Sequence, residues 1–491
     1  MANNSDLRNK VMGNLAWRFA ERCGAQGVSF IVSIILARLL GPSDYGTVAL
    51  LTVFITILNV FVDSGLGNAL IQKKDADYLD FSTVFVFNMV MCIVLYIALF
   101  FLSPWIARFY GDSTLTPLMR ALGLTLVVSG IKNIQQAYVS RNLIFKRFFY
   151  ATLGGTIIAA VVGIALAYHG FGAWALVVQH VLNATIDTAI LYITVRWRPH
   201  LQFSWMRFKG LFDYGWKLLA SGLLDTVYNN IRQLIIGRFY SSEDLAFYNQ
   251  GVKYPQFVVG NINTAIDSVL LPAMSKEQDD QNRVKAMTRR SIVTSTYIMA
   301  PIMIGIAVTA EPLVKLLLTD KWLPCVLFLR IFCITYMFFP VHTANLNAIR
   351  AMGRSDVFLK MEIVKKIVGL SLMFSTIFIS VEAMAYSLLV NTIISTIINA
   401  FPNKTLLRYS WREQMKDILP GILLAAFMGG CVYPIQFIGL PDVATLLVQF
   451  ILGAGIYIGG SVLLRLESFH YIFGLVWPFV RRVIKRRETH L

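Results

Sequence analysis

Apolar runs about twenty residues long follow one another along nearly the whole chain, and that is the length a helix needs to cross a bilayer. Read with that ruler, the sequence predicts about fourteen spans, at 14–40, 45–70, 81–103, 115–139, 148–168, 172–194, 214–238, 244–272, 291–310, 324–348, 358–380, 382–401, 418–438 and 442–464. The expected fold class is therefore an all-α polytopic membrane protein. The first ten residues, MANNSDLRNK, show no charged-then-apolar leader with a small-residue cleavage site, so the first hydrophobic helix is expected to stay.

The polar residues inside these runs are not scattered. In the first span Arg18, Arg22, Gln26, Ser29 and Ser33 step by 4, 4, 3 and 4, with Glu21 beside them, which draws one stripe along a helix. The second span repeats this with Thr52, Thr56, Asn59 and Asp63, the seventh with Lys217, Ser221, Asp225, Tyr228, Asn229 and Arg232, and the eighth with Lys253, Gln256, Gly260, Asn263 and Asp267. A mid-membrane charge costs roughly 2.5–3.5 kcal/mol on insertion scales. Such stripes are expected to line a water-filled cavity, or else to form buried salt bridges, because lipid cannot satisfy them. Spans 3, 5, 9, 13 and 14 have almost no ionisable residue in their middles and can face lipid. Pro255 lies within the eighth stripe and is expected to kink or locally break that helix.

A repeat runs through the pattern at an offset near 200 residues. The stretch IILARLLGPSDYG from Ile34 resembles LIIGRFYSSEDLA from Leu234, aligning Arg38 with Arg238 and Asp44 with Asp244, and DSGLGNAL from Asp63 aligns with DSVLLPAM from Asp267. Each unit holds six helices, and an even number returns the chain to its starting side. The halves should then be parallel copies around a central cavity, followed by two further helices. The expected divisions are 1–205 and 206–410 for the two lobes, 411–466 for helices 13 and 14, and 467–491 for a basic interfacial tail.

Charge bears on orientation. Lys and Arg concentrate at alternate connections, among them Lys73 and Lys74, Arg141 to Arg147, Arg196 to Lys209, Lys276 to Arg290, Arg350 to Lys360 and Lys404 to Lys416. The opposite connections carry chiefly Arg108, Lys315 and Lys321. This is the positive-inside pattern, and it places both termini in the cytoplasm. The net charge of +17 would suggest nucleic acid in a soluble protein, but here much of it is topology. With 56% apolar residues, 14% charged residues and a mean hydropathy of +0.63, a soluble enzyme or a disordered regulator is excluded.

Chemistry-bearing motifs are few. Cys23, Cys92, Cys325, Cys333 and Cys431 lack CxxC or repeating spacing, so neither disulfide framework nor zinc site is expected. The run GLFDYGWK at Gly210–Lys217 looks like a phosphate loop, but Trp216 stands where glycine is needed and no Ser or Thr follows. The six histidines show no metal-ligand spacing, and Asp187 with His180 reads as a local polar contact. No nucleotide domain is legible in the chain, and no catalytic residue is expected.

The motifs ILARLLGPSDYG, DSGLGNALIQKKD and KWLPCVLFLRIF, set in the expected span layout, make the chain similar to the Wzx-type flippases. These form the polysaccharide-transport branch of the multidrug/oligosaccharidyl-lipid/polysaccharide exporter superfamily, to which the O-antigen and colanic-acid exporters belong. The resemblance implies two six-helix lobes around a cavity that alternates between the faces of a bacterial cytoplasmic membrane, and substrates that are oligosaccharide repeat units on a polyprenyl diphosphate. Membrane lipids, a polysaccharide polymerase and chain-length machinery are the partners it implies, and nucleic acid is not among them.

The basic members of the stripes, Arg18, Arg22, Lys217, Arg232 and Lys253, are the candidates for a diphosphate head group. Glu21, Asp63, Asp225 and Asp267 are the candidates for charge balance or for carrying a coupling ion, H+ or Na+. No cofactor or metal is expected. A cation-coupled exporter of small amphiphiles, as in MATE-type antiporters, is the alternative function, and the basic cavity disfavours it for cationic drugs. A polymerase or glycosyltransferase would need a sizeable catalytic loop outside the membrane, whereas the outside connections here are short.

Overall fold

A computed structural model describes Trp17 and residues 24–474 apart from 64, 143 and 196. Among the described residues every regular element is helical and no strand occurs. Lipid offers the backbone no hydrogen bonds, so a chain this apolar satisfies its peptide groups within each segment. The first unit of packing, Met1–Ala246, contains α1 (Gly24–Leu39), α2 (Pro42–Asp63), α3 (Leu66–Gln72), α4 (Tyr78–Tyr110), α5 (Leu115–Arg141), α6 (Lys146–Tyr168), α7 (Ala173–Thr194) and α8 (Trp205–Phe239). The second, Phe247–Leu491, takes up most of α9 (Ser242–Lys276) and holds α10 (Gln281–Val308), α11 (Ala310–Leu318), α12 (Cys325–Met337), α13 (Phe339–Ala351), α14 (Ser355–Thr376), α15 (Val381–Leu406), α16 (Trp411–Val432) and α17 (Asp442–Leu463). The seventh helix, α8, packs on α2, α3 and α4 and so belongs to the first unit.

Among the described residues eleven helical segments are long and apolar enough to cross a membrane. The other three expected spans coincide with α1, whose described part is short, and with α8 and α14, which carry seven and five ionisable residues. Two expected spans are interrupted. The second breaks between α2 and α3 at Gly65, whose φ of 68° is left-handed, and a Cβ there would lie 2.7 Å from the Gly215 carbonyl oxygen. Glycine is needed on both counts. The tenth breaks at Phe338, between α12 and α13, where Pro340 cannot donate to the preceding turn. By contrast α9 runs unbroken through Pro255 and Pro272, so the local break expected at Pro255 does not occur.

The repeated motif has a local structural meaning. Asp44 is the third residue of α2 and its carboxylate accepts from Gly41 N at 3.2 Å, while Asp244, third in α9, accepts from Ser241 N at 3.1 Å and Ser241 Oγ at 2.7 Å. Both aspartates reach back to a backbone N–H that the first turn of a helix leaves without a partner. Their matching positions explain why the two sequences resemble each other there.

Helices in lipid gain little from burying apolar surface against one another, so close backbone approach and interhelical hydrogen bonds carry more of the association. Gly130 on α5 sits where a Cβ would come within 2.7 Å of Cys92 Sγ on α4, and Gly460 on α17 where it would come within 2.5 Å of Leu424 on α16. Large side chains point outward from α4, α6 and α17, among them Phe101, Val161 and Phe450, in keeping with the lipid-facing role expected for spans 3, 5 and 14. The ninth span, α10, packs against α12, α13 and α16 and also exposes Ile298 and Ile302.

Candidate functional site

Arg18, Glu21, Arg22 and the tail from residue 475 onward lie outside the described residues. In the first unit, the α8 stripe places Lys217 and Asp225 on exposed positions and buries Arg232, which is 8% exposed. Both Arg232 and Asp225 engage neighbouring groups. Asp63 ends α2 at an exposed position, and Asn133 of α5 donates to its Oδ1 at 3.3 Å and to the Val62 carbonyl at 3.0 Å.

Beside Asn133 lies a residue that the sequence reading missed. Lys132 on α5 forms an ion pair with Asp187 on α7 at 2.5 Å, and Asp187 is only 6% exposed. Gly155 on α6 makes room for it, since a Cβ there would stand 3.1 Å from the Asp187 Cβ. The signal was available: α5 and α7 run the same way in the expected topology, and their opposite charges, a partly buried lysine and a buried aspartate, lie nine and seven residues from the same end. Asp187 therefore finds its ion-pair partner on a neighbouring helix 55 residues away in sequence, a partner the reading of Asp187 with His180 did not supply.

The second unit holds Lys253 half-buried on α9 and Asp267 exposed further along it. Asn347 of α13, itself 1% exposed, donates to Asp267 Oδ1 at 2.7 Å. The repeat-related carboxylates Asp63 and Asp267 are thus each clasped by an asparagine from the fourth span of their own sequence repeat. Between α13, α15 and α16 lies a buried amide network: Asn345 Nδ2 donates to Gln414 Oε1 at 2.9 Å, and Asn345 Oδ1 accepts from Asn403 at 2.6 Å and from Gln414 at 3.0 Å. His342 and Thr396 join the same helix pair at 2.7 Å. On α15 the series Asn391, Ser395, Asn399, Asn403 recurs every four residues and is buried throughout, a helical stripe that the periodicity could have revealed. Glu362 and Lys365 pair within α14 at 2.5 Å. Among the described residues no cluster of His, Cys, Asp and Glu has the make-up of a metal site.

Two solved structures share this fold. The solved structure of the lipid II flippase MurJ in an inward closed conformation matches with a TM-score of 0.74 at 12% identity, covering 92% of this chain and 99% of that one. An inward-facing multidrug resistance MATE family transporter matches with a TM-score of 0.61 at 12% identity, over 78% and 94% of the two chains. At such identities the likeness is one of fold. The family is given by sequence: a model described as "Polysaccharide biosynthesis protein" matches residues 35–327, more than half the chain, and the protein belongs to that family.

Curated relatives agree with this assignment. The succinoglycan biosynthesis transport protein ExoT of Rhizobium meliloti is 23% identical over 64% of this chain, and the match spans 63% of that protein, under two thirds of its length. The lipopolysaccharide biosynthesis protein WzxC of Escherichia coli is 22% identical over 73% of each chain. The teichuronic acid biosynthesis protein TuaB of Bacillus subtilis is 24% identical over 77% of this chain and 78% of that one.

Proposed function

We propose that the protein is a flippase that moves polyprenyl-diphosphate-linked oligosaccharide repeat units across a bacterial inner membrane by alternating access, feeding synthesis of a capsule, exopolysaccharide or O-antigen. The observation that carries this reading is the family match over residues 35–327, joined to relatives named for succinoglycan transport and for lipopolysaccharide and teichuronic acid biosynthesis. Fourteen spans, two parallel six-helix lobes with the boundaries given above, and cytoplasmic termini complete the proposal. A polymerase and chain-length machinery would receive the product.

The chemistry of such a substrate explains why this chain tolerates intramembrane cations. A diphosphate leaving water at the interface needs replacement partners, whereas its polyprenyl tail can remain in the bilayer. Lys217, Arg232 and Lys253, with Arg18 and Arg22, are the proposed head-group ligands. Asp63, Asp225 and Asp267, with Glu21, are the proposed charge-balancing or ion-coupling carboxylates, and Asp187 joins them as a buried one. A charge-assisted hydrogen bond contributes roughly 1.5–3 kcal/mol, so losing one ligand should weaken head-group binding by about one to two decades.

The test uses purified protein in vesicles and a tagged polyprenyl-diphosphate oligosaccharide. Wild type should move the tag to the opposite leaflet, and Lys217→Ala, at an exposed position, should slow this while leaving melting in detergent near wild type. No translocation by the wild type would reject the function. Unchanged translocation after joint neutralisation of Lys217, Arg232 and Lys253 in a folded protein would reject the cationic head-group site alone.

A further inference from the structure

Where α10, α16 and the end of α17 meet in the second unit, a polar recess of about 230 Å3 opens at the surface. Its walls are Arg289 and Tyr297 from α10, Lys416 and Gly421 from α16, and Arg465 with Glu467 just beyond α17. We propose that this recess binds the phosphodiester head group of an anionic glycerophospholipid, a site separate from the transport machinery.

The charge count favours such an occupant. Arg289 already holds both local acids: Nε meets Asp417 Oδ2 at 3.0 Å, and Nη2 meets Asp417 Oδ1 at 3.1 Å and Glu467 Oε2 at 3.1 Å. Tyr409 donates to the same Asp417 carboxylate at 2.7 Å. With those carboxylates occupied, the side chains of Lys416 and Arg465 have no hydrogen-bond or ion-pair partner among the described residues, although both line the recess. Three cations face two carboxylates, which leaves one positive charge. A phospholipid whose head group adds no cation supplies one negative charge on its phosphodiester, with unesterified oxygens spaced to accept from both an ammonium and a guanidinium.

The backbone gives independent support. Arg465 has a φ of 49°, in the left-handed region that ordinarily goes to glycine at a helix end. Its N–H donates to Val462 O and the Leu466 N–H to Ser461 O, both at 3.1 Å, which closes α17. Glycine would close the helix with less strain, and the arginine instead brings a charged side chain to the recess. The level is also right for a head group. Lys416 lies in the second turn of α16 and Arg465 just past the end of α17. Nearby, Arg290 stacks 4.5 Å over the ring of Tyr471, an aromatic of the kind that marks membrane interfaces. The basic-loop pattern assigns this end to the cytoplasmic leaflet, the one with a negative surface potential.

The experiment takes the full-length protein, purified and stripped of lipid in detergent. It measures melting and counts bound lipids by native mass spectrometry during titration with phosphatidylglycerol, phosphatidylcholine or inorganic phosphate. Wild type should retain one phosphatidylglycerol at least about tenfold more tightly than the Lys416→Ala/Arg465→Gly variant and should show no such preference for phosphatidylcholine. Arg465→Gly suits the left-handed backbone, so the lipid-free variant should melt no lower than wild type. Should it unfold, Lys416→Gln/Arg465→Asn removes the same charges with a residue that also tolerates that conformation. Equal phosphatidylglycerol retention by wild type and variant, equal binding of phosphatidylcholine by the wild type, or inorganic phosphate competing as strongly as the lipid would each overturn the proposal.

Discussion

The fourth and sixth spans of each sequence repeat are joined by opposite kinds of chemistry. In the first unit α5 and α7 are bridged by the ion pair Lys132–Asp187. In the second, the corresponding α13 and α15 are bridged by neutral groups, Asn345 with Asn403 and His342 with Thr396, and Gln414 of α16 completes the amide network. Elsewhere the repeats agree: Asp44 and Asp244 cap equivalent helices, and Asp63 and Asp267 are each clasped by an asparagine. The amides Asn345, Asn403 and Gln414 hold helices together without regard to proton or ion concentration. A buried ion pair is costly to desolvate and is often no more stabilising than an apolar pair of similar shape, so one kept within a membrane helix pair points to a working role. We propose structural duty for the second unit's bridge and functional duty for the first unit's.

The largest effect expected follows from separating the pair. Lys132→Leu would strand the Asp187 carboxylate in a nearly water-free position and should cost about 3–5 kcal/mol, read as a lower melting temperature in detergent. The double variant Lys132→Leu/Asp187→Leu should recover most of that stability. A double variant as unstable as the single one would show that the pair is not the origin of the loss.

In the second unit, Asn403→Leu removes one donor to Asn345 Oδ1 and should cost about 1–3 kcal/mol. Transport per folded molecule should stay near wild type. A selective loss of transport there would erase the contrast between the units. The clasps grade next. Asn347 is buried and bonds Asp267 at 2.7 Å, whereas Asn133 is less buried and bonds Asp63 at 3.3 Å, so Asn347→Ala should destabilise more than Asn133→Ala when the two are melted side by side.

The smallest effect concerns Asp77, which caps α4 from outside the membrane. The backbone N–H of Asp80, then Arg207, hold its carboxyl below the usual range. A lowered folded pKa gives stability that is present above the unfolded value of about 3.9 and is lost as pH falls through the folded one. Asp77→Asn should therefore melt slightly lower than wild type at neutral pH, and the two pH–melting curves should converge as pH falls through the folded value.

Much of this was legible in the sequence, for reasons that differ by residue. Apolar runs located the helices because bilayer thickness fixes their length, and the Asp44 and Asp244 motifs reported a capping geometry that recurs. The break at Gly65 was not legible, since a 45–70 run stays apolar across it and only the close approach of Gly215 shows why the chain turns there. The bridges were missed because attention to stripes within one helix overlooks partners on another: Lys132 and Asp187 are single charges, and only their matched depth links them. Asn345, Asn403 and Gln414 carry no charge and resemble ordinary loop or cap residues until packing brings them together.

Translocation of a tagged polyprenyl-diphosphate oligosaccharide by two folded variants in vesicles tests the central claim most directly. The Lys132→Leu/Asp187→Leu protein should lose at least about tenfold in rate, equivalent to about 1.4 kcal/mol in the barrier, while the Asn403→Leu protein transports like wild type per folded molecule. Wild-type transport by the first variant, with both proteins shown to be folded, would contradict the assignment of function to the charged bridge.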